Sequence, residues 1–398
     1  MHPYNKTYEY YYVDKVSQLE PLCAGYLQQR ILAIDTEFVR TQTLTPILGL
    51  IQVFDGTQVA LIDPIAIKDL SAFSSILSNQ DIIKVAHSCS EDLEALWHHL
   101  NVLPIPVFDT QFAAGLLDLG TSVGYANLVE QLFEVQVDKG ESRTDWTQRP
   151  LSEAQCAYAS ADVTHLMALY EHLSALTEAR NLTPLVYQEI ASLGSKKSTP
   201  VSADCVYMNL KNAWKLGRKN LAALKALAKW RLETARVQNK SVNFVIKEAA
   251  LLELAIKLPQ TNQALFECHN LYSRQARLYA DDLLAICREC IDLSPEQCPP
   301  KLQRLIEFSG YKQAVLVIKE MIEEVAVSHE IPVAMLASKK QINQLLEWFW
   351  FTFNEVAEQD GQVDLLSGWR YQLLAPHLKS MQTKLAGYHE IKRGLPLE

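Results

Sequence analysis

Four short apolar runs, Ile31–Ile34, Ile47–Phe54, Val59–Ile62 and Ile82–Ala86, fall early in the chain, and strand-like patterns fade beyond residue 200. Runs of this length bounded by turn residues mark strands buried in a sheet, and Asp55-Gly56 between the second and third is a hairpin turn signal. Helical patterns follow at Lys68–Leu77, Glu91–Leu100, Thr110–Leu119 and Ala126–Leu132, then over a long segment, Glu153–Leu176, opened by the capping-box sequence Ser152-Glu153-Ala154-Gln155. The front half is therefore expected to be an α/β domain and the rear half all-α.

At 398 residues and ~150 residues per domain, two or three domains are expected. Lys196–Ser202 is polar and reads as a linker, and Ser294–Pro300, with three prolines, divides the helical half. The two pieces share a faint repeat: Val237-Gln238-Asn239-Lys240 before Phe244-Val245-Ile246 corresponds to Val327-Ser328-His329-Glu330 before Ala334-Met335-Leu336. The expected divisions are 1–195, 205–291, 299–384 and a tail over 385–398.

With 48% hydrophobic and 21% charged residues the composition is that of a globular protein, which excludes disordered, fibrous and disulfide-stapled chains. No apolar stretch nears the ~18 residues a bilayer helix needs, and Met1–Lys6 leads into tyrosines and charges rather than an apolar signal segment. Eight scattered cysteines point to a reducing compartment. A cytoplasmic protein with no membrane partner is expected.

The formal net charge of -9 argues at first against a polyanionic partner. It is unevenly spread, however. Residues 1–195 hold 10 Lys and Arg against 24 Asp and Glu, whereas residues 196–398 hold 27 against 22. Lys211–Lys240 carries nine basic residues and one acid, a stripe suited to phosphates, although a solvated helix face is an equally common origin. An acidic half can still meet a polyanion when its carboxylates hold divalent cations.

Asp35-Thr36-Glu37 follows the first apolar run, and strand alternation sends both carboxylates to one face. Two acids this close repel, and a divalent ion keeps both ionised. The pattern alone is weak, since Asp92-Leu93-Glu94 repeats it at a helix start, where the helix dipole already favours acids. Tyr158 and Asp162 lie four apart on one helix face, but Tyr10 and Asp14 share that spacing. Order and context together carry the information.

In that context the chain resembles the ribonuclease D family. Ile34-Asp35-Thr36-Glu37-Phe38-Val39-Arg40, followed by Pro46 and Leu48-Gly49-Leu50-Ile51-Gln52, is similar to its first exonuclease motif. His87-Ser88-Cys89-Ser90-Glu91-Asp92-Leu93-Glu94 resembles the second. The segment from Asp138 to Trp146, Arg149-Pro150-Leu151 and Tyr158-Ala159-Ser160-Ala161-Asp162-Val163 resemble the third and its approach. These are hallmarks of the tyrosine subclass of the DEDD exonuclease superfamily. The helical half resembles the family's paired HRDC domains, through Leu224, Leu227, Trp230-Arg231, Ala235 and Lys257-Leu258-Pro259, and then Gly368-Trp369-Arg370 with Leu373-Leu374.

The resemblance implies an α/β, ribonuclease H-like 3′-5′ exonuclease domain followed by two all-α HRDC bundles. It implies a monomer that hydrolyses phosphodiesters at RNA 3′ ends, with tRNA precursors and other small stable RNAs as substrates and nucleoside 5′-monophosphates as products. Asp35, Glu37, Asp92 and Asp162 would hold two divalent ions, Mg²⁺ or Mn²⁺ suiting an all-oxygen site. Tyr158 would orient the attacking water, since its reference pKa near ~10 makes it a poor base at neutral pH.

Around this set, Phe38 faces either the terminal nucleotide or the core, and His87 is a structural histidine or a phosphate ligand. Lys139 and Arg143 are candidates for the RNA backbone, and Trp146 is expected to pack. The Cys287-Arg288-Glu289-Cys290 pair stands without a second such pair, which weighs against structural zinc. A catalytically silent RNA-binding adaptor and a nuclease preferring DNA are the competing readings.

Overall fold

The computed structural model describes residues 8–137, 140–141, 144–351 and 363–395. The early apolar runs pair into a six-stranded mixed sheet: β1 (Tyr10–Val13), β2 (Ile31–Val39), β3 (Ile47–Phe54), β4 (Val59–Ile62), β5 (Ile83–Ala86) and β6 (Val107–Asp109), in the order β1-β4-β3-β2-β5-β6. The hairpins β2–β3 and β3–β4 are antiparallel, while β1–β4, β2–β5 and β5–β6 are parallel. Alternation splits the apolar residues between two faces. Leu32, Ile34, Ile51 and Val53 pack beneath α1 (Val16–Tyr26), α2 (Ser71–Ser78) and α3 (Ser90–Leu100). Ala33, Leu50, Phe54 and Val85 pack against α4 (Thr110–Leu116), α5 (Tyr125–Phe133), α6 (Glu153–Thr164) and α7 (Leu166–Ala179). Lys84 is buried in the central sheet, its ammonium donating to the carbonyls of Asn79, Ile82 and Ile105.

The helical half forms two modules of different standing. The first holds α9 (Arg218–Gln238), α10 (Val242–Val245), α11 (Glu248–Lys257), α12 (Asn262–Phe266), α13 (Ser273–Leu278) and α14 (Ala280–Ile291), around an apolar core of its own. The second holds α15 (Tyr311–Ser328), α16 (Val333–Leu336), α17 (Lys339–Trp350) and α18 (Gly368–Ala386). Its core is continuous with that of the α/β domain. Glu189, on α8 (Thr183–Ser198), accepts from Trp369 Nε1 at 2.8 Å and pairs with the Arg370 guanidinium. Gly115 sits so close to Met335 that a Cβ there would lie 2.5 Å from its terminal methyl carbon.

Several elements differ from their sequence signals. Strands β1 and β6 were not apparent, one being mostly tyrosine and the other three residues long. The expected long helix breaks at His165, which ends α6 and begins α7. The Tyr125 hydroxyl clamps the break, donating to Ala161 O at 3.0 Å and accepting from His165 N–H at 3.3 Å. The first three residues of the Lys196–Ser202 linker are helix, because α8 runs to Ser198 and its lysines pair with Asp364 and Glu94. Residues 387–395, expected as a tail, fold back: Lys392 N–H donates to Phe349 O at 2.6 Å and Trp348 Nε1 to Gly394 O at 3.0 Å. No described helix is long and apolar enough to cross a membrane.

Candidate active site

Strand β2 carries Asp35 and Glu37 on the face that packs against α6. Helix α6 is started by Ser152, whose hydroxyl accepts from Gln155 N–H while the Gln155 side chain returns to Ser152 N–H, the reciprocal cap expected from the sequence. Its register then places Asp162 over β2. Carboxylate oxygens of Asp35, Glu37 and Asp162 lie within 4.8 Å of one another, and these three form the only potential ligand group of that size among the described residues. Tyr158 stands one turn earlier on the same face of α6, and its hydroxyl draws the Asp162 carboxyl toward the ionised form.

Asp92 enters from α3, on the other side of the strand, and stands outside that trio. Thr36, between Asp35 and Glu37, donates to Asp92 Oδ1 at 2.5 Å. The start of α3 is itself fixed by Asp109, which accepts from Cys89 N–H at 2.8 Å and caps α4 through Gln111 and Phe112.

Burial lifts all four acids, and repulsion among them adds to it at Asp35 and Glu37. Asp35 is held well above the ordinary aspartate range, first by burial and then by the charges of Asp92, Asp162 and Glu37. Glu37 is pushed up to about 9 by burial and by Asp162 and Asp92. Burial raises Asp162 to about 7 against the pull of the Tyr158 hydroxyl, and Asp92 to about 6 against that of Thr36. Tyr158 is raised further from neutrality by burial and by Asp162. Such a cluster is poorly served by protons alone. A converging all-carboxylate set suits hard divalent cations. Gln52 adds a second sign: it faces Asp35 across β2 and β3, is fully buried, and neither its amide nitrogen nor its oxygen has a partner.

The loop entering α6 is anchored by Arg149, which grips Asp63 through Nε at 2.7 Å and a terminal nitrogen at 2.8 Å, and also reaches the carbonyls of Trp146 and Gly49. Tyr12 donates to the same Asp63 at 2.7 Å. Trp146 is buried, with its ring 6.1 Å from that of Tyr158. Its backbone lies against Gly49, where a Cβ would come 2.5 Å from Trp146 O.

Of the flanking candidates, Phe38 follows a bulge in β2 and is half-buried against the apolar cluster under α3. His87 is not available to a phosphate: Nδ1 lies 2.9 Å from Thr110 Oγ1 and Nε2 3.1 Å from Val123 O, so both ring nitrogens serve the fold. Lys139 and Arg143 lie outside the described residues. Cys287 and Cys290 are buried thiols on α14. Glu94, the second acid of the duplicate motif, is a structural partner of Arg40 at 2.8 Å and Lys197 at 2.7 Å. Sequence reasoning did not single out Thr36, Gln52, Asp63, Asp109 or Tyr125. Only Asp109, an aspartate just before a helix, carried a readable local signal.

Comparison with known proteins agrees with this architecture. A 3′-5′ exonuclease family model matches residues 10–178, an HRDC domain model 220–287, and a ribonuclease D C-terminal HRDC model 309–378. The ribonuclease D of a Shewanella species (strain ANA-3) is 42% identical over 372 residues, 93% of each chain. That of Escherichia coli K12 is 38% identical over 363 residues, 91% of this chain and 96% of the other. The crystal structure of Escherichia coli RNase D, described as an exoribonuclease involved in structured RNA processing, superimposes with a TM-score of 0.87 at 37% identity, covering 94% of this chain and 99% of that one. Built on a divalent-metal-using exonuclease fold with two HRDC domains behind it, this chain belongs to the ribonuclease D family of 3′-5′ exoribonucleases.

Proposed function

We propose that this exoribonuclease trims the 3′ ends of tRNA precursors and other small stable RNAs, releasing nucleoside 5′-monophosphates by a two-metal mechanism. The observation that carries the reading is the convergence of Asp35, Glu37 and Asp162 beside Tyr158. Asp35, Glu37 and Asp162 would hold one divalent ion, and Asp92 together with Asp35 would hold the second. When bound, Mg²⁺ or Mn²⁺ relieves the negative charge that builds on the attacking and leaving oxygens. Tyr158 stays protonated, since its surroundings push its pKa further up. It therefore positions the attacking water by hydrogen bonding rather than by taking its proton.

Phe38, next to Glu37 in the chain, meets the terminal nucleotide, and Lys139 and Arg143 contact the RNA backbone. The domain divisions 1–195, 205–291 and 299–384, a monomeric state and a cytoplasmic location complete the proposal. The test is a time course on 5′-labelled tRNA carrying a short 3′ extension, with Mg²⁺, Mn²⁺ or EDTA, comparing wild type with Asp162→Ala. Stepwise 3′ shortening and 5′-monophosphate release by the metal-loaded wild type alone is the expected outcome. Tight RNA binding without shortening would favour the silent-adaptor reading instead.

A further inference from the structure

Phe244 on α10 and Tyr272 at the start of α13 each leave 55% of their surface in water. Large rings ordinarily bury most of their area, so two exposed at one corner of a well-packed module require a reason. They are tied to each other. Gln275, on α13, donates to Phe244 O at 3.5 Å, and Lys247 Nζ donates to Tyr272 Oη at 2.6 Å while lying 4.9 Å from the centre of its ring. The corner thus presents two aromatic faces with an ammonium group held against one of them.

This corner is clasped to the loop that follows the catalytic strand. Ser241 N–H donates to Gln42 O at 2.8 Å, and Asn239 Oδ1 accepts from both the backbone N–H and the hydroxyl of Thr45 at 3.1 Å. Gln42 is five residues beyond Glu37 and Phe244 three beyond Ser241, so chain length alone keeps the platform within ~30 Å of the acidic trio. Helix α9, with one acid among nine basic residues in the surrounding segment, ends at the same corner with Arg236 and Lys240.

We infer that Phe244 and Tyr272, with Lys247 beside them, form a stacking platform for unpaired bases of the RNA upstream of its 3′ end. The inference rests on the exoribonuclease activity and names where the substrate's single strand is held. Rings accept any base by stacking, and neighbouring cations neutralise the phosphates between bases, so such a surface binds single strands without reading sequence. The basic segment beside the rings complements a polyanion, which favours an RNA strand over a protein partner.

The test uses the full-length protein in EDTA, where binding is read without hydrolysis, and hairpin RNAs with a short or a long unpaired 3′ tail. A third RNA has a long tail with abasic riboses at the upstream positions. Phe244→Ala and Tyr272→Ala should each weaken the long tail about fivefold or more and leave the short tail unchanged. Tyr272→Phe should behave as wild type. Wild type should bind the abasic tail with reduced affinity, and the alanine variants should reduce it no further. Unchanged affinity of both alanine variants for the long tail overturns the platform, as does an equal loss on normal and abasic tails, which marks a contact that is not stacking. Wild-type helical circular dichroism and melting verify that the first helical module of each variant is folded, and hydrolysis of a dinucleotide with Mg²⁺ at the wild-type rate does so for the catalytic domain. If wild type itself shortens no RNA, the activity fails; if shortening is intact and tail affinity unmoved, only the platform fails.

Discussion

The Thr36 hydroxyl sits 2.5 Å from Asp92 Oδ1, so the residue between two of the clustered acids also orients the carboxylate that stands apart from them. Neighbours of this kind commonly contribute ~10–100-fold to metal affinity or activity. Thr36→Val, which keeps the shape and removes the donor, should lower affinity at one of two Mn²⁺ sites and slow hydrolysis by that order, whereas Thr36→Ser should retain both. Titration followed by electron paramagnetic resonance gives the stoichiometry. Two unaltered sites in Thr36→Val would show the hydrogen bond to be incidental.

The raised acids fix the sign of a pH effect in the metal-free protein. In the folded state Glu37 loses its proton near about 9 and Asp162 near about 7, whereas the unfolded chain loses both near ~4. The native state therefore binds more protons across that interval, and its stability falls as pH rises from ~4 to ~9. In EDTA the melting temperature of wild type should fall from pH 6 to pH 9 more steeply than that of Glu37→Gln. Mg²⁺ should restore more at pH 9 than at pH 6. Parallel curves for wild type and Glu37→Gln would contradict the raised carboxyl.

Gln52 is expected to trade stability for function. Its buried amide has no partner opposite Asp35, and an unsatisfied buried polar group costs ~1–3 kcal/mol. Gln52→Leu should raise the urea midpoint of the metal-free protein and lower the hydrolysis rate. A less stable variant with full activity would mean the amide is satisfied by water and plays no part in the site.

Gly49 is required by close approach rather than by backbone angle. A Cβ would meet the Trp146 carbonyl, which belongs to the loop leading into α6. Gly49→Ala must displace that loop, at ~1–3 kcal/mol, and with it the register of Tyr158 and Asp162. Reduced stability together with a lower rate on a dinucleotide is expected. Normal turnover at reduced stability would show that the loop moves without carrying α6.

The acidic trio was legible in the sequence through the order and flanking residues of its motifs, which resemble those of the family; strand alternation and a four-residue helical spacing alone recur at Asp92-Leu93-Glu94 and at Tyr10 and Asp14. The apposition of Asp35 and Gln52 depends on strand register, and the bond from Thr36 to Asp92 spans 56 residues. Neither has a local signature. His87 stayed open between a structural and a phosphate-binding role for a related reason: the partners of its ring nitrogens, Thr110 and Val123, are remote in sequence. The break at His165 was hidden because its clamp, Tyr125, is remote, and helical periodicity runs through the junction.

The continuity of the second helical module's core with that of the exonuclease domain bears on how the chain comes together during synthesis. Residues of α7, among them Leu169 and Leu173, share one apolar cluster with Leu374, Leu378 and Leu385 of α18. A domain whose sheet is complete by residue 109 thus leaves the ribosome with part of its interior still uncovered. It is closed only after α18 has emerged, 277 residues beyond the end of the last strand. The intervening module, with a core of its own, can fold while that surface waits.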